Sequence, residues 1–169
     1  MKAEKKNREA FRQASEEWRR GNVGRALFNA TKKFEQDVLA SLDSNGYPEI
    51  RIVHLNLYRN LELDGTRLTE LAARASMTKQ GMQELVDRAE QAGYVERRSD
   101  PKDGRAKVVA FSDKGLVLMQ ALHKAILDAE QNMIGSIGGA PVELIGQWLR
   151  SYTDADTPSP RQASPRIAD

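Results

Sequence analysis

The chain has 169 residues, 40% hydrophobic and 30% charged, with a net charge of +2, which suits one globular domain with tails. Cysteine is absent, and that excludes disulfides, zinc–thiolate centres, thiol nucleophiles and thiol redox sensing together. No apolar run approaches the ~18–20 residues of a membrane span, and the charged opening MKAEKKNREAFRQASEEWRR has no signal-peptide core, so the expectation is a cytoplasmic protein with no membrane contact.

Charge is unevenly spread. Residues 1–34 carry ten Lys/Arg against four Asp/Glu, residues 35–65 two against six, residues 66–107 nine against seven, and residues 108–169 five against seven. Positive excess thus gathers in the N-terminal arm and the middle, which solubility explains as readily as a nucleic-acid partner.

In chain order, residues 3–20 predict a helix with a thin stripe of Ala3, Asn7, Ala10, Phe11, Ala14 and Trp18, one that needs a partner surface. Asn22 reads as an N-cap before a helix carrying Val23, Ala26, Leu27, Ala30, Phe34, Leu39 and Leu42 at helical spacing. Asn45-Gly46 is a stop and Pro48 suits the first position of the next helix. There Ile50, Ile52, Val53, Leu55, Leu57 and Leu61 cover most of the circumference, which predicts a helix sandwiched inside the fold.

Asp64-Gly65 marks a turn and Thr66 a cap for a short helix whose face is Leu68, Leu71, Ala72 and Ala75. Ser76-Met77 interrupts it. Thr78 then caps TKQGMQELVDRAEQAG, with Met82, Leu85, Val86 and Ala89 inward and Gly93 as the closing residue. After Gly93 the period falls from about 3.6 to 2. Residues 94–98 and 106–111 read as two strands joined by the long polar tip DPKDGR, a β-hairpin. Ser112-Asp113 opens another helix with the stripe Met119, Leu122, His123, Ile126, Ala129, Met133 and Ile137. Gly138-Gly139 breaks it, and Pro141 starts a last helix with Leu144, Ile145, Trp148, Leu149 and Tyr152 inward. Trp18, Trp148, Tyr152 and His123 are assigned to dimer packing. From Thr153 the Pro/Ser-rich tail predicts disorder.

The fold class is therefore mainly α with a small β-hairpin: a winged helix-turn-helix flanked by helices from both termini. The second helix of the motif turns Lys79, Gln80, Gln83, Glu84, Asp87 and Arg88 outward. A helix fits the major groove, where its N-terminal residues reach base edges. Lys pairs with guanine acceptors, Gln with adenine and Thr with phosphate or a thymine methyl. The residues expected on DNA are Thr78, Lys79, Gln80, Gln83 and Arg88 from the helix, and Arg98, Lys102, Arg105 and Lys107 from the wing. A basic loop suits the negative potential of the minor groove. Asp100 and Asp103 are expected to pair with Arg97, Arg98 or Arg105 and fix the loop's shape. Taken alone, DPKDGR is a solvated turn; the helix pair before it gives it the second reading.

The stretch TRLTELAARASMTKQGMQELVDRAEQAGYVERRSDPKDGRAKVVAFSDKG resembles the MarR family of winged-helix regulators. A weaker likeness covers residues 23–150. The resemblance implies a triangular homodimer with the terminal helices intertwined, a recognition helix starting at Thr78, a minor-groove arginine at Arg105 and Asp103 as its orienting partner. It also implies double-stranded DNA as partner and repression relieved by an aromatic acid, phenol or acyl-CoA thioester. In these terms residues 1–21 form a basic arm outside the family pattern and residues 22–152 the MarR-type domain. Within that domain the winged helix-turn-helix covers about 48–112 and the dimerisation helices 22–45 and 112–152, followed by a tail over 153–169.

His54 reads as a hydrogen-bonded core histidine or as an effector contact. Arg51, His54 and Tyr58 are spaced to share a helix face, where Arg51 would anchor a carboxylate and Tyr58 and Phe28 would flank an aromatic ring. Two lone histidines without acidic neighbours at ligand spacing give no metal site. No phosphate loop, nucleophile elbow, metalloprotease motif or triad is present, so neither an enzyme nor a cofactor is expected. The alternatives are a winged helix that docks a protein and an architectural DNA binder without an effector.

Overall fold

A computed structural model of the chain describes residues 2–101 and 103–154, except for the side chains of residues 2–6, 10, 13, 14, 17 and 20. The expectations for Ala3, Ala10, Ala14, Lys102 and the tail beyond residue 154 lie outside the described residues. The elements in order are helices α1 (Lys2–Gly21), α2 (Val23–Ser44), α3 (Ile52–Asn60), α4 (Leu68–Arg74) and α5 (Lys79–Gln91), strands β1 (Val95–Asp100) and β2 (Asp103–Phe111), and helices α6 (Asp113–Ile137) and α7 (Gly139–Asp154). No helix among the described residues is long and apolar enough to cross a membrane. The chain divides into one unit up to Glu130 and a second from Gln131 on.

Three helix ends share one device. At α2, Gly46 is left-handed (φ 92°), Tyr47 N–H donates to Leu42 O at 3.0 Å and Gly46 N–H to Asp43 O at 3.1 Å. At α5, Gly93 (φ 78°) repeats the pattern, with Tyr94 N–H to Ala89 O and Gly93 N–H to Glu90 O, both 2.9 Å. At α4 the same Schellman closure is made by a serine, Ser76 at φ 52°, with Met77 N–H to Ala72 O at 2.9 Å. A non-glycine there costs roughly 1–2 kcal/mol, yet the closure gives the break between α4 and α5 a fixed geometry.

Asn22 caps as expected, accepting from Arg25 N–H at 2.8 Å while its amide donates to Trp18 O at 2.8 Å. It thus ties the end of α1 to the start of α2.

Two predicted helix starts move. Pro48 does not open α3. It sits at the second position of the turn Tyr47–Ile50, closed by Ile50 N–H to Tyr47 O at 3.2 Å, where proline's fixed φ is favoured. The helix starts four residues later, and His54 Nδ1 accepts the Arg51 N–H at 3.1 Å. Thr66 does not cap α4. It is buried, and its backbone pairs in both directions with Val109, at 2.8 and 2.9 Å. Its hydroxyl accepts Glu62 N–H at 3.0 Å, and Arg67 takes the cap position.

The hairpin is antiparallel, registered from Val95↔Phe111 to Asp100↔Asp103 with an irregularity after Ser99. Its strands run on into the predicted tip as far as the register pair Asp100 and Asp103. With Thr66 alongside Val109, the wing root is a three-segment patch.

One core joins the elements of the first unit. Leu42, Leu57, Leu71, Met82, Val86 and Leu118 are its most enclosed large apolar side chains, each contributing roughly 1.5–3 kcal/mol by burial. α3 meets it through Leu55, Leu57 and Tyr58, while Ile52 and Val53 are exposed, so the sandwiching holds only after the helix's first turn. In α2 only the second half packs, through Val38 and Leu42 with Phe34 and Leu39; Val23 and Phe28 are exposed. α6 buries Gly115, Leu118, Leu122, Ala125 and Ala129, a stripe offset from the predicted one. Of the predicted residues, Leu122 and Ala129 are buried, Met119, Ile126 and Met133 half-buried, and His123 and Ile137 exposed.

In the second unit, α7 starts two residues before Pro141, which falls in the first turn where its missing N–H is harmless. Gly138 before it is left-handed at φ 90°. α7 has no buried residue. Trp148 and Tyr152, expected inward, are 65% and 76% exposed.

Candidate nucleic-acid interface

The recognition segment begins with a working cap: Thr78 Oγ1 accepts Gly81 N–H at 3.1 Å. No acidic residue occupies the first turn of α5, so the positive end of the helix dipole is not neutralised there. The inward face is Met82, Leu85, Val86 and Ala89, the predicted set. Asn56 of α3 donates to Ala75 O at 3.4 Å, which braces the turn from behind.

The outward residues fall into two groups. Thr78, Lys79, Gln80, Glu84 and Arg88 are exposed, with Gln80 donating to Glu84 at 3.4 Å. Gln83 and Asp87, also expected to face out, are half-buried. Gln83 donates to Asp87 at 2.8 Å, Arg97 donates to the same carboxylate at 2.5 Å, and Arg97 also holds Glu90. This chain of contacts fastens α5 to β1, and it places Gln83 at the hinge of helix and wing rather than at its outer edge.

On the wing, Arg105 and Lys107 are exposed on β2. Arg98 lies nearer the root, paired with Glu96 and donating to Phe111 O at 3.4 Å. Lys102 is outside the described residues. The cation that the two wing aspartates share is not one of those expected. Arg67, the α4 cap residue, places Nε and Nη2 at 2.7 and 2.6 Å from Asp100 Oδ2 and Nη2 at 3.4 Å from Asp103 Oδ2. Asp103 Oδ1 meanwhile accepts the Arg105 backbone N–H at 3.2 Å. Arg67 was not among the residues singled out from sequence. It stands 33 positions before Asp100, and no local pattern links the two.

The four candidate effector residues do not form one cluster. Tyr58 is 2% exposed and packs edge-on to Tyr94 at 6.4 Å and tilted against Phe111 at 6.1 Å. Burial pushes its pKa up, with Glu49 adding to the shift. Phe28 is 61% exposed, with the Arg25 guanidinium 5.9 Å from its ring centre. The Arg51 guanidinium folds back on its own turn, donating to Pro48 O and, at 3.0 Å, to Ile50 O. His54 is half-buried, and its pKa is lowered first by burial, then by the charges of Arg51 and Arg88, against a smaller opposing effect of Glu49. It is therefore a neutral acceptor at neutral pH.

Arg51 does line a hollow of about 440 Å³ with Leu39, Ala40, Asp43, Pro48 and Ile50, between the C-terminal half of α2 and the following turn. Beside that turn the Tyr94 hydroxyl donates to Glu49. This bond is the largest cause of the lowered Glu49 pKa. Lys114 lies 4.4 Å over the Tyr94 ring. Among the described residues no group of three or more His, Asp or Glu is arranged to hold a metal.

A short helix, a closed turn, a second helix with a polar outer face and a hairpin beside it define a winged helix-turn-helix protein. Residues 55–106 match the profile of the MarR family. MarR-family proteins are DNA-binding regulators, not enzymes. No curated protein matches the chain; the likenesses are to solved structures. CouR from Rhodococcus jostii RHA1 bound to p-coumaroyl-CoA superposes with a TM-score of 0.62 at 19% identity, covering 84% of this chain and 96% of that one. CouR bound to a 23-mer DNA duplex gives 0.60 at 22% identity over 78% and 92%. Apo MarR from E. coli gives 0.65 at 19% over 78% and 96%. A MarR-family protein from Mycobacterium tuberculosis in complex with salicylic acid gives 0.61 at 20% over 78% and 96%. At these identities the likeness establishes the fold.

Proposed function

We propose that the chain is a homodimeric repressor that binds a near-palindromic DNA operator and releases it when a small aromatic effector binds. The carrying observation is that α5, braced from behind and tied to β1, presents Thr78, Lys79, Gln80 and Arg88 to solvent beside a wing presenting Arg105 and Lys107. Helix and wing are held in one geometry, which is what simultaneous contact with adjacent grooves demands. Gln83, Arg98 and Lys102 complete the proposed set. Gln83 reaches a base edge only by giving up Asp87.

Dimer formation is supported by the exposed apolar residues of α7, which one chain leaves uncovered. Two copies would set the recognition helices about 34 Å apart, one turn of DNA. Effector release is supported by the ligands in the related structures, p-coumaroyl-CoA and salicylic acid. Of the four candidate residues, Arg51 is the one placed at a hollow that admits a ring, and it offers two-nitrogen geometry for a carboxylate. His54 and Tyr58 lie on the helix behind it, and Phe28 lies on the exposed half of α2. Function is then a coupling free energy between two ligands, typically ~1–3 kcal/mol.

The test is a gel-shift titration of wild type and Arg105→Ala at two salt concentrations. Loss of the wing arginine is expected to weaken binding and to lower the log–log salt slope by about one. Unchanged affinity and slope would remove the wing from the interface. A thermal-shift screen of aromatic acids, phenols and their CoA thioesters, repeated by gel shift, identifies the effector as the compound that both stabilises the protein and frees DNA.

A further inference from the structure

We propose that Arg67 is the positioning residue of the wing: from the cap of α4 it clamps Asp100 and Asp103, and thereby holds the Arg105 backbone where the wing tip meets DNA. The proposal rests on the DNA-binding reading above. The geometry that carries it is a relay. Two nitrogens of Arg67 converge on one oxygen of Asp100, at 2.7 and 2.6 Å. Asp100 is 6% exposed, a depth at which a carboxylate requires a partner. Asp100 and Asp103 are the register pair that closes the hairpin turn, so one cation grips both sides of the tip. Asp103 spans the last step with its two oxygens, one toward Arg67 Nη2 at 3.4 Å and the other accepting the Arg105 N–H at 3.2 Å.

The neighbouring residue reinforces this placement. Thr66 is bonded in both directions to Val109 of β2, so the backbone bearing Arg67 is fixed to the wing root while its side chain reaches the tip. The wing is held at both ends by consecutive residues of the segment that starts α4. Two acidic residues inside a DNA-facing loop also gain a reason: their charge is spent on Arg67, and their effect on DNA is through shape.

A direct phosphate contact by Arg67, which is about half exposed, is the competing role, and charge separates the two. If Arg67 touches phosphate, lysine replaces it and removing the Asp100 charge improves binding. If Arg67 positions the wing, lysine loses the convergent two-nitrogen grip and Asp100→Asn harms binding although it removes a negative charge.

The experiment measures duplex affinity by gel shift for wild type, Arg67→Lys, Arg67→Gln, Asp100→Asn and Arg67→Gln/Asp100→Asn, together with amide hydrogen exchange of residues 99–105 in the free proteins. The expected result is a loss of roughly tenfold for each single variant, with the double variant about as weak as the singles because both remove one interaction. Exchange of the tip amides should quicken in every variant. Retained affinity in Arg67→Lys, tighter binding by Asp100→Asn, or tip exchange identical to wild type each overturns the clamp. If Arg67→Gln fails to fold, Asp103→Asn takes its place, with a smaller loss and faster tip exchange expected and no change in either counting against the clamp. A wild-type chain that binds no duplex at low salt defeats the DNA reading instead, and the exchange measurement still decides whether Arg67 holds the tip.

Discussion

Between Ile50 and Phe111 the large apolar side chains Leu57, Leu71, Met82 and Val86 are out of solvent, whereas along α1, the first half of α2 and α7 the residues Phe11, Trp18, Val23, Phe28, Trp148 and Tyr152 are mostly exposed. Both regions are built from amphipathic helices. The difference is that the winged helix closes most of its apolar faces, with help from Val38 and Leu42 of α2 and Leu118 and Leu122 of α6, while the terminal helices carry exposed apolar side chains. Exposed apolar residues on this scale are what a partner surface would cover, so the two regions differ in whether their apolar faces are closed within the chain.

The sharpest way to break that comparison is one substitution made at both ends of α6. A Cβ at Gly115 would lie 1.9 Å from the Tyr94 carbonyl oxygen, backbone against backbone, whereas a Cβ at Gly135 meets nothing within 4 Å. Gly115→Ala is expected to cost at least about 3 kcal/mol, or to abolish folding, because a rigid neighbour cannot yield. Gly135→Ala is expected to stabilise by roughly 0.5–1 kcal/mol through helix propensity. Urea denaturation of both reads the contrast, and equal effects would mean that the two ends of α6 are equally constrained. A smaller effect on folding is expected from the double variant Trp148→Ser/Tyr152→Ser. Light scattering should show a shift from dimer toward monomer, with the far-ultraviolet spectrum of the winged helix kept. An unchanged mass would remove α7 from the association surface.

The smallest effect concerns His54. Its pKa is held below the ordinary 6.5 by burial and by Arg51 and Arg88, so the unfolded chain takes up a proton before the folded one does. The stability this gives is present above pH 6.5 and is lost as pH falls toward the depressed folded value. His54→Gln keeps an acceptor for the Arg51 N–H and removes the titration. Melting midpoints between pH 7 and pH 5 should fall less steeply in the variant, and parallel profiles would show that His54 does not titrate in that window.

The inner face of α5 was readable residue by residue, because Met82, Leu85, Val86 and Ala89 pack on a single side and local periodicity determines the answer. The stripe of α6 was readable only in part: Leu122 and Ala129 were expected inward and are buried, whereas Gly115, Leu118 and Ala125 were not named. Three of its five buried positions are Gly115, Ala125 and Ala129, and small residues that permit close approach carry little hydrophobic signal. Thr66 looked like a cap from its neighbours, but its role is decided by Val109, 43 residues on. The same separation in sequence hid Arg67. The aspartates of DPKDGR showed that the loop needed a cation, and only the fold could say which. Pro48 was likewise readable as a turn former, yet the start of α3 depends on a cap that His54 makes from inside the helix.

One turn of chain, Tyr47 to Ile50, carries two attachments at once. Pro48 and Ile50 form part of the wall of the hollow beside α2, and Glu49 between them accepts the hydroxyl of Tyr94, the residue that immediately follows the closure of α5. Wall and tether are therefore adjacent links with no slack between them. In the proposed reading, a guest that pushed the wall outward would pull on the residue that closes α5 through the Glu49 carboxylate, one residue from the wall.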